Sequence, residues 1–148
     1  MKKVFTLLIA LAVLLVAGQV IAAKVPTPES FDGITVVSAD WVKANMDKVT
    51  VYDARKKGEY VEKHIPGAIS ATYGEKSAKS LEFDASEDKF KLNKYPTDKS
   101  APIVVYCNGP KCWKSLKSAI LLVREGYTNV NWLRDGFPGW LDKGYPTE

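Results

Sequence analysis

Two cysteines bracket a Gly-Pro loop in Cys107-Asn108-Gly109-Pro110-Lys111-Cys112, directly after the apolar run Ile103-Val104-Val105-Tyr106 and directly before Trp113. The thiolate, not the thiol, is the nucleophilic form of cysteine, and at a free pKa of about 8.5 only a few per cent is ionised at neutral pH. A buried strand that delivers a thiol into a tight turn at a helix N-terminus changes that balance. Inward-pointing backbone N–H groups and the helix dipole both favour the anion. The same field favours an anionic substrate. Cys107 is therefore the candidate nucleophile, and Asn108, Gly109, Lys111, Cys112 and Trp113 are candidate substrate-binding residues around it. Pro110 lacks an N–H, so the cradle of amides is one donor short, and Lys111 supplies the nearest positive charge.

The elements that position this loop follow from apolar patterning. Ile34 to Val37 reads as a first strand, and Ser38 is a good N-cap for a helix from Ala39 to about Met46 with Trp41 and Val42 turned to the core. Thr50-Val51-Tyr52 is a second strand ending at Asp53-Ala54-Arg55. Glu59 to Lys63 fits one or two helical turns, and Ile65 to Ile69 runs into a very short third strand. Residues 72–100 are rich in Lys, Asp, Glu and Ser and read as a surface excursion. Ile103 to Tyr106 is the central strand. A helix follows, with Leu116, Ala119, Ile120 and Val123 at amphipathic spacing and Gly126 as its C-terminal cap. Val130 to Leu133 is the last strand.

Strands alternating with helical stretches imply an α/β domain, a parallel sheet with helices on both faces. Ligands of such sheets sit at the carboxyl ends of the strands, so Asp53 and Cys107 should share one rim. Arg55 is expected to pair with Glu59. His64, the only histidine, reads as a structural hydrogen-bonding residue, and Trp41, Trp132 and Trp140 as core.

At 148 residues and 46% hydrophobic content the chain suffices for one compact domain. Met1-Lys2-Lys3, the apolar run from Val4 to Ala17 and the small residues Ala22-Ala23 have the layout of a secretory signal peptide. Residues 1–23 are expected to be the signal and 24–148 the exported, periplasmic domain, with a membrane anchor as the alternative. The net charge of +4 falls to +2 once Lys2 and Lys3 are removed, which implies no nucleic-acid partner. Cys107, Cys112 and His64 have no recognisable ligand spacing, so neither metal nor cofactor is expected.

Asp53-Ala54-Arg55, Glu59-Tyr60 and His64-Ile65-Pro66-Gly67-Ala68-Ile69 resemble the first signature of the rhodanese-type sulfurtransferases. Val104-Val105-Tyr106-Cys107 resembles the strand that carries their nucleophile, and Leu133, Asp135-Gly136-Phe137 and Trp140 resemble their closing segment. The resemblance implies a rhodanese-like fold around a five-stranded parallel sheet. It also implies transfer of a sulfane sulfur from a small anionic donor such as thiosulfate, through a Cys107 persulfide, to a thiol or cyanide-type acceptor. Asp53 and Arg55 would support the site without touching substrate, and the protein would be a monomer. The chain departs from the family pattern in three places. Lys63 replaces a glycine, Asp135 replaces the first glycine of a Gly-Gly pair at a position where left-handed backbone is expected, and the loop has a second cysteine and no arginine. Cys112 is open between half of a structural disulfide and a thiol that attacks a Cys107 persulfide or sulfenate. Two further readings remain: an exported thiol–disulfide redox protein using both cysteines, and a non-catalytic binding module.

Overall fold

β-Branched runs place the strands, and parallel pairing joins them. In the computed structural model, which describes residues 24–148, Ile34–Val36 (β1), Thr50–Asp53 (β2), Ile69–Ser70 (β3), Ile103–Tyr106 (β4) and Val130–Leu133 (β5) form one parallel sheet in the order β1-β5-β4-β2-β3. Residues 1–23, where the sequence leads one to expect a signal peptide, lie outside the described residues. β4 occupies the centre and is buried throughout. Its register aligns Asp53 of β2 and Leu133 of β5 with Tyr106, so Asp53 and Cys107 do come to one rim.

Alternation along β4 sorts the core into two faces. Ile103 and Val105 pack with Tyr52 and Trp132 beneath the helix Trp113–Arg124 (α3). Val104 and Tyr106 pack on the other face with Val51 and Leu133, beneath Ala39–Asn45 (α1) and the closing helix Gly136–Asp142 (α4). Burying each Val, Leu or Ile side chain stabilises the fold by about 1.5–3 kcal/mol. A short helix, Lys57–Glu62 (α2), links β2 to β3.

Ser38 caps α1 as the sequence implies, its Oγ accepting from the Trp41 N–H at 3.1 Å. Trp41 itself is a correction. It is 37% exposed, whereas Ala39 and Val42 are buried. A helix turns about 100° per residue, so a seven-residue helix that buries Ala39 and Val42 turns Trp41 outward. Trp132 and Trp140 are fully buried.

Residues 72–100 are no bare excursion. Tyr73, Phe83 and Tyr95 are buried in the same core face as α3, Tyr95 packing on Tyr52 of β2 with ring centres 4.5 Å apart, and Gly74 and Lys89 exchange backbone hydrogen bonds that close the segment. Only two short 3₁₀ turns, Ala85–Glu87 and Leu92–Lys94, punctuate it. With the sheet beneath α3 and this segment beside it, the helix's polar residues Ser115, Lys117 and Ser118 are buried too. Lys117 Nζ donates to Ser77 Oγ at 2.8 Å and to the Ser77 carbonyl at 3.2 Å, and it pairs with Glu75 at 3.0 Å and Asp88 at 3.8 Å. Asp88 also accepts from Tyr73 Oη and from the Lys76 and Ser77 amides. Burial pushes its carboxyl up, but these bonds outweigh burial and hold it down at about 2.

Candidate active site

β4 ends at Tyr106 and delivers Cys107 directly into the turn before α3. Gly109 makes that turn with φ +101°, and its carbonyl accepts from the Cys112 N–H at 3.0 Å. Cys112 is the N-cap of α3 and is disulfide-bonded to Cys107, with Cα atoms 6.3 Å apart. Cys107 is 1% exposed, whereas Cys112 is only partly buried.

Ser115, one turn into α3, faces the Cys107 sulfur with two groups. Its Oγ lies 2.9 Å from Sγ, and its backbone N–H points at Sγ from 3.4 Å. Trp132 Nε1–H, which can only donate, reaches the same Oγ at 3.0 Å. The hydroxyl therefore accepts from Trp132, and its own proton is free to be given to the sulfur. The Cys112 carbonyl oxygen, 3.2 Å from Sγ, works the other way and favours a protonated thiol. Two donors against one acceptor favour an anionic sulfur. Sequence reasoning missed Ser115. Its signal is there, one helical turn past the loop on the buried side, but an isolated serine reads as ordinary helix polarity.

The far side of the loop is fixed by close contact. Gly136 adopts φ +63°, and a Cβ there would lie 2.5 Å from the Gly109 nitrogen. Only glycine satisfies both conditions. The next amide, of Phe137, donates to the Cys107 carbonyl at 2.8 Å. Asp135, expected in left-handed backbone, instead has φ −68° as the N-cap of α4, so a side chain fits there without strain.

A strap formed by residues 25–28 crosses the outside of the loop. The Thr27 amide and hydroxyl both donate to the Pro110 carbonyl at 2.7 Å, and Trp113 Nε1–H donates to the Val25 carbonyl at 2.9 Å. Arg134 holds the strap in turn, through the carbonyls of Thr27 and Pro28.

On the shared rim, Asp53 is fully buried and accepts from the Arg55 amide, from both Arg55 side-chain nitrogens Nε and Nη2, and from Tyr106 Oη. The expected Arg55–Glu59 pair is thus replaced by Arg55–Asp53 at 2.6 Å, because the turn after β2 folds the guanidinium back onto the carboxylate two residues before it. Burial works against the Arg55 charge, but its hydrogen bonds to the Asp53 carboxylate and that group's negative charge prevail and raise its pKa above the ordinary value. The guanidinium also lies 4.0 Å from the Phe137 ring centre, so the rim reaches Cys107 through the residue that grips its carbonyl. His64 stacks on Tyr60, with Nδ1 2.8 Å from the Tyr60 carbonyl oxygen, a structural position.

An open basin of about 540 Å³ lies in front of the disulfide, lined by Asn108, Lys111, Cys112 and Trp113 together with Lys24, Lys56, Lys79, Lys114, Glu59 and Glu75. Five lysines face two carboxylates, which makes the basin attractive to anions. Four of the five sequence-predicted binding residues therefore come together. Gly109 does not, for it is buried against Asp135 and Pro138 behind the loop. Asn108 donates to Glu59 at 2.6 Å. Burial raises the Glu59 carboxyl, and the bonds from Asn108 and the Lys56 amide more than offset this and keep it below its ordinary value. Among the described residues, no three His, Cys, Asp or Glu side chains converge as a metal site.

Comparison with known proteins adds a family. The model of the rhodanese-like domain matches residues 38–143. An HTH-type transcriptional regulator of Mycobacterium tuberculosis is 30% identical over 101 residues, 68% of this chain and 38% of the regulator. The chain thus spans well under half the length of that curated relative. Among solved structures, the Alr3790 protein from Anabaena sp. aligns with a TM-score of 0.57 at 24% identity over 76% of this chain and 81% of that one. A rhodanese-related protein from Thermoplasma volcanium gives 0.56 at 21%, over 77% and 97%. A thiosulfate sulfurtransferase from Pseudomonas aeruginosa gives 0.57 at 24%, over 78% of this chain and 20% of that one. At these identities the structures show the fold alone.

Proposed function

The chain belongs to the rhodanese-like domain family, and from that premise we propose that it is a sulfurtransferase whose nucleophile is Cys107. The observation that carries this reading is the sulfur's setting. Cys107 Sγ stands at the carboxyl end of the central strand, receives the Ser115 hydroxyl and amide, and lies behind a lysine-lined basin. With the disulfide reduced, the Cys107 thiolate attacks the outer sulfur of thiosulfate. The new S–S bond forms as sulfite leaves with the electron pair, and Cys107 is left as a persulfide. A thiophilic acceptor such as cyanide then takes the outer sulfur and returns the thiolate. Lys111 and Lys114 draw the anionic donor in, while Ser115 holds the charge that reappears on sulfur at each departure.

Thiocyanate formation from thiosulfate and cyanide, measured on reduced protein, tests the proposal. The wild type is expected to turn over, and Cys107→Ser to form no thiocyanate above background. Equal activity in Cys107→Ser would overturn the assignment.

A further inference from the structure

The two cysteines differ in what they face. Cys107 Sγ is enclosed by Ser115, Trp132 and the loop, while Cys112 is the only one of the pair that lines the basin. Any thiol arriving from solvent therefore meets Cys112 first. Attack there makes Cys107 the leaving sulfur, and the Ser115 hydroxyl and amide are in place to stabilise it as a thiolate. A stabilised leaving thiolate and an accessible partner sulfur are what rapid disulfide exchange requires.

The same geometry bears on a loaded Cys107. The backbone already holds the two residues at a Cα separation of 6.3 Å, within the range for a bond between them. A Cys112 thiolate is then an intramolecular nucleophile toward a Cys107 persulfide, with no acceptor needing to diffuse in. We propose that Cys112 resolves that persulfide, so that the protein works as a dithiol-dependent reductase of sulfane sulfur; the proposal rests on Cys107 being the sulfur-accepting nucleophile.

The step balances as follows. The Cys112 thiolate attacks Cys107 Sγ, the Cys107–Cys112 bond forms, and the outer sulfur leaves with the bonding pair as hydrosulfide. Two thiols are oxidised to a cystine, and the sulfane sulfur is reduced to sulfide. A dithiol then attacks Cys112 Sγ from the basin and expels the Cys107 thiolate. Its second thiol closes the reductant's own disulfide and frees Cys112. Over one cycle, thiosulfate and a dithiol yield sulfite, hydrosulfide, a proton and a disulfide. A reaction that supplies reduced dithiols must therefore stand behind this protein.

A single-turnover experiment decides the matter. Protein reduced with dithiothreitol and freed of it anaerobically is mixed with a small excess of thiosulfate, without cyanide or added thiol. Sulfite, hydrosulfide and intact mass are then measured. The wild type is expected to release one sulfite and one hydrosulfide per chain and to end as the disulfide. Cys112→Ala is expected to release sulfite alone and to keep a mass gain of about 32 Da on Cys107, the stranded persulfide sulfur. Sulfite with no hydrosulfide from the wild type, and the added mass retained, would overturn the resolving role while leaving the sulfurtransferase reading intact. No sulfite from the wild type would overturn both. The wild-type stoichiometry suffices by itself should Cys112→Ala not fold, and hydrosulfide released by a folded Cys112→Ala would also sink the proposal.

Discussion

Arg55 and Lys117 are both buried cations paired with carboxylates, one on each face of the sheet. Arg55 takes its partner from two residues away, and the Asp53 carboxylate it serves is itself fully buried. Lys117 draws on Glu75 and Asp88, which belong to a different segment, and Glu75 opens onto the basin. The first cluster stiffens a turn; the second sews the 72–100 segment to α3. They also reach the sulfur differently. Arg55 acts through Phe137 and the Cys107 carbonyl, whereas α3 touches Sγ directly through Ser115.

Removing the two cations should give the largest contrast. Arg55→Leu leaves the fully buried Asp53 carboxylate with no cation, only the residue-55 amide and Tyr106 Oη as donors, and is expected to cost about 3–5 kcal/mol in urea unfolding. Lys117→Met should cost less, about 2–3 kcal/mol, because Glu75 borders the open basin and can turn toward solvent, whereas Asp53 cannot. Equal costs would erase the distinction between a closed pair and an open one.

Acid titration sharpens the comparison on the Lys117 side. Asp88 titrates at about 2 in the folded chain against an ordinary 3.8. Its folded pKa is depressed, so the stability it contributes is present above about pH 4 and is lost as the pH falls toward 2. The expected loss is about 2 kcal/mol, seen as a falling melting temperature across that window. Asp88→Asn should start less stable and show a flatter profile there.

The smallest effect concerns the direct contact to sulfur. Ser115→Ala removes the hydroxyl from Cys107 and orphans the Trp132 N–H. Sulfite release from thiosulfate is expected to slow roughly tenfold, or about 1.4 kcal/mol of barrier. An unchanged rate would mean that the backbone amide and the lysines alone hold the charge.

This contrast also explains what the sequence disclosed. Asp53-Ala54-Arg55 and Cys107 were legible because local spacing at strand ends carries their placement, and the β4 register brings them together. The pairing of Arg55 with Asp53 rather than Glu59 was not, since it depends on which way one turn folds. Lys117 was illegible for a stronger reason. Nothing in α3 reveals that Ser77, Glu75 and Asp88, from a segment far upstream, will enclose it, so a buried lysine looks like a solvated one. Trp41 erred in the opposite direction, an aromatic assigned to the core by type on a helix too short to bury it. Ser115 needed Trp132, from another strand, before its hydroxyl acquired a direction.

The strap over the loop is held almost wholly by main-chain groups: the carbonyls of Val25, Thr27 and Pro28 and the Thr27 amide. Its path is therefore fixed while its lettering is nearly free. Conventional alanine scanning would pass over this stretch in silence, apart from the Thr27 hydroxyl. Trimming it, or splicing a tag in its place, would instead release the Pro110 carbonyl and the Trp113 indole together. For anyone building variants of this protein, residues 25–28 belong to the working part of the molecule, however expendable their side chains look.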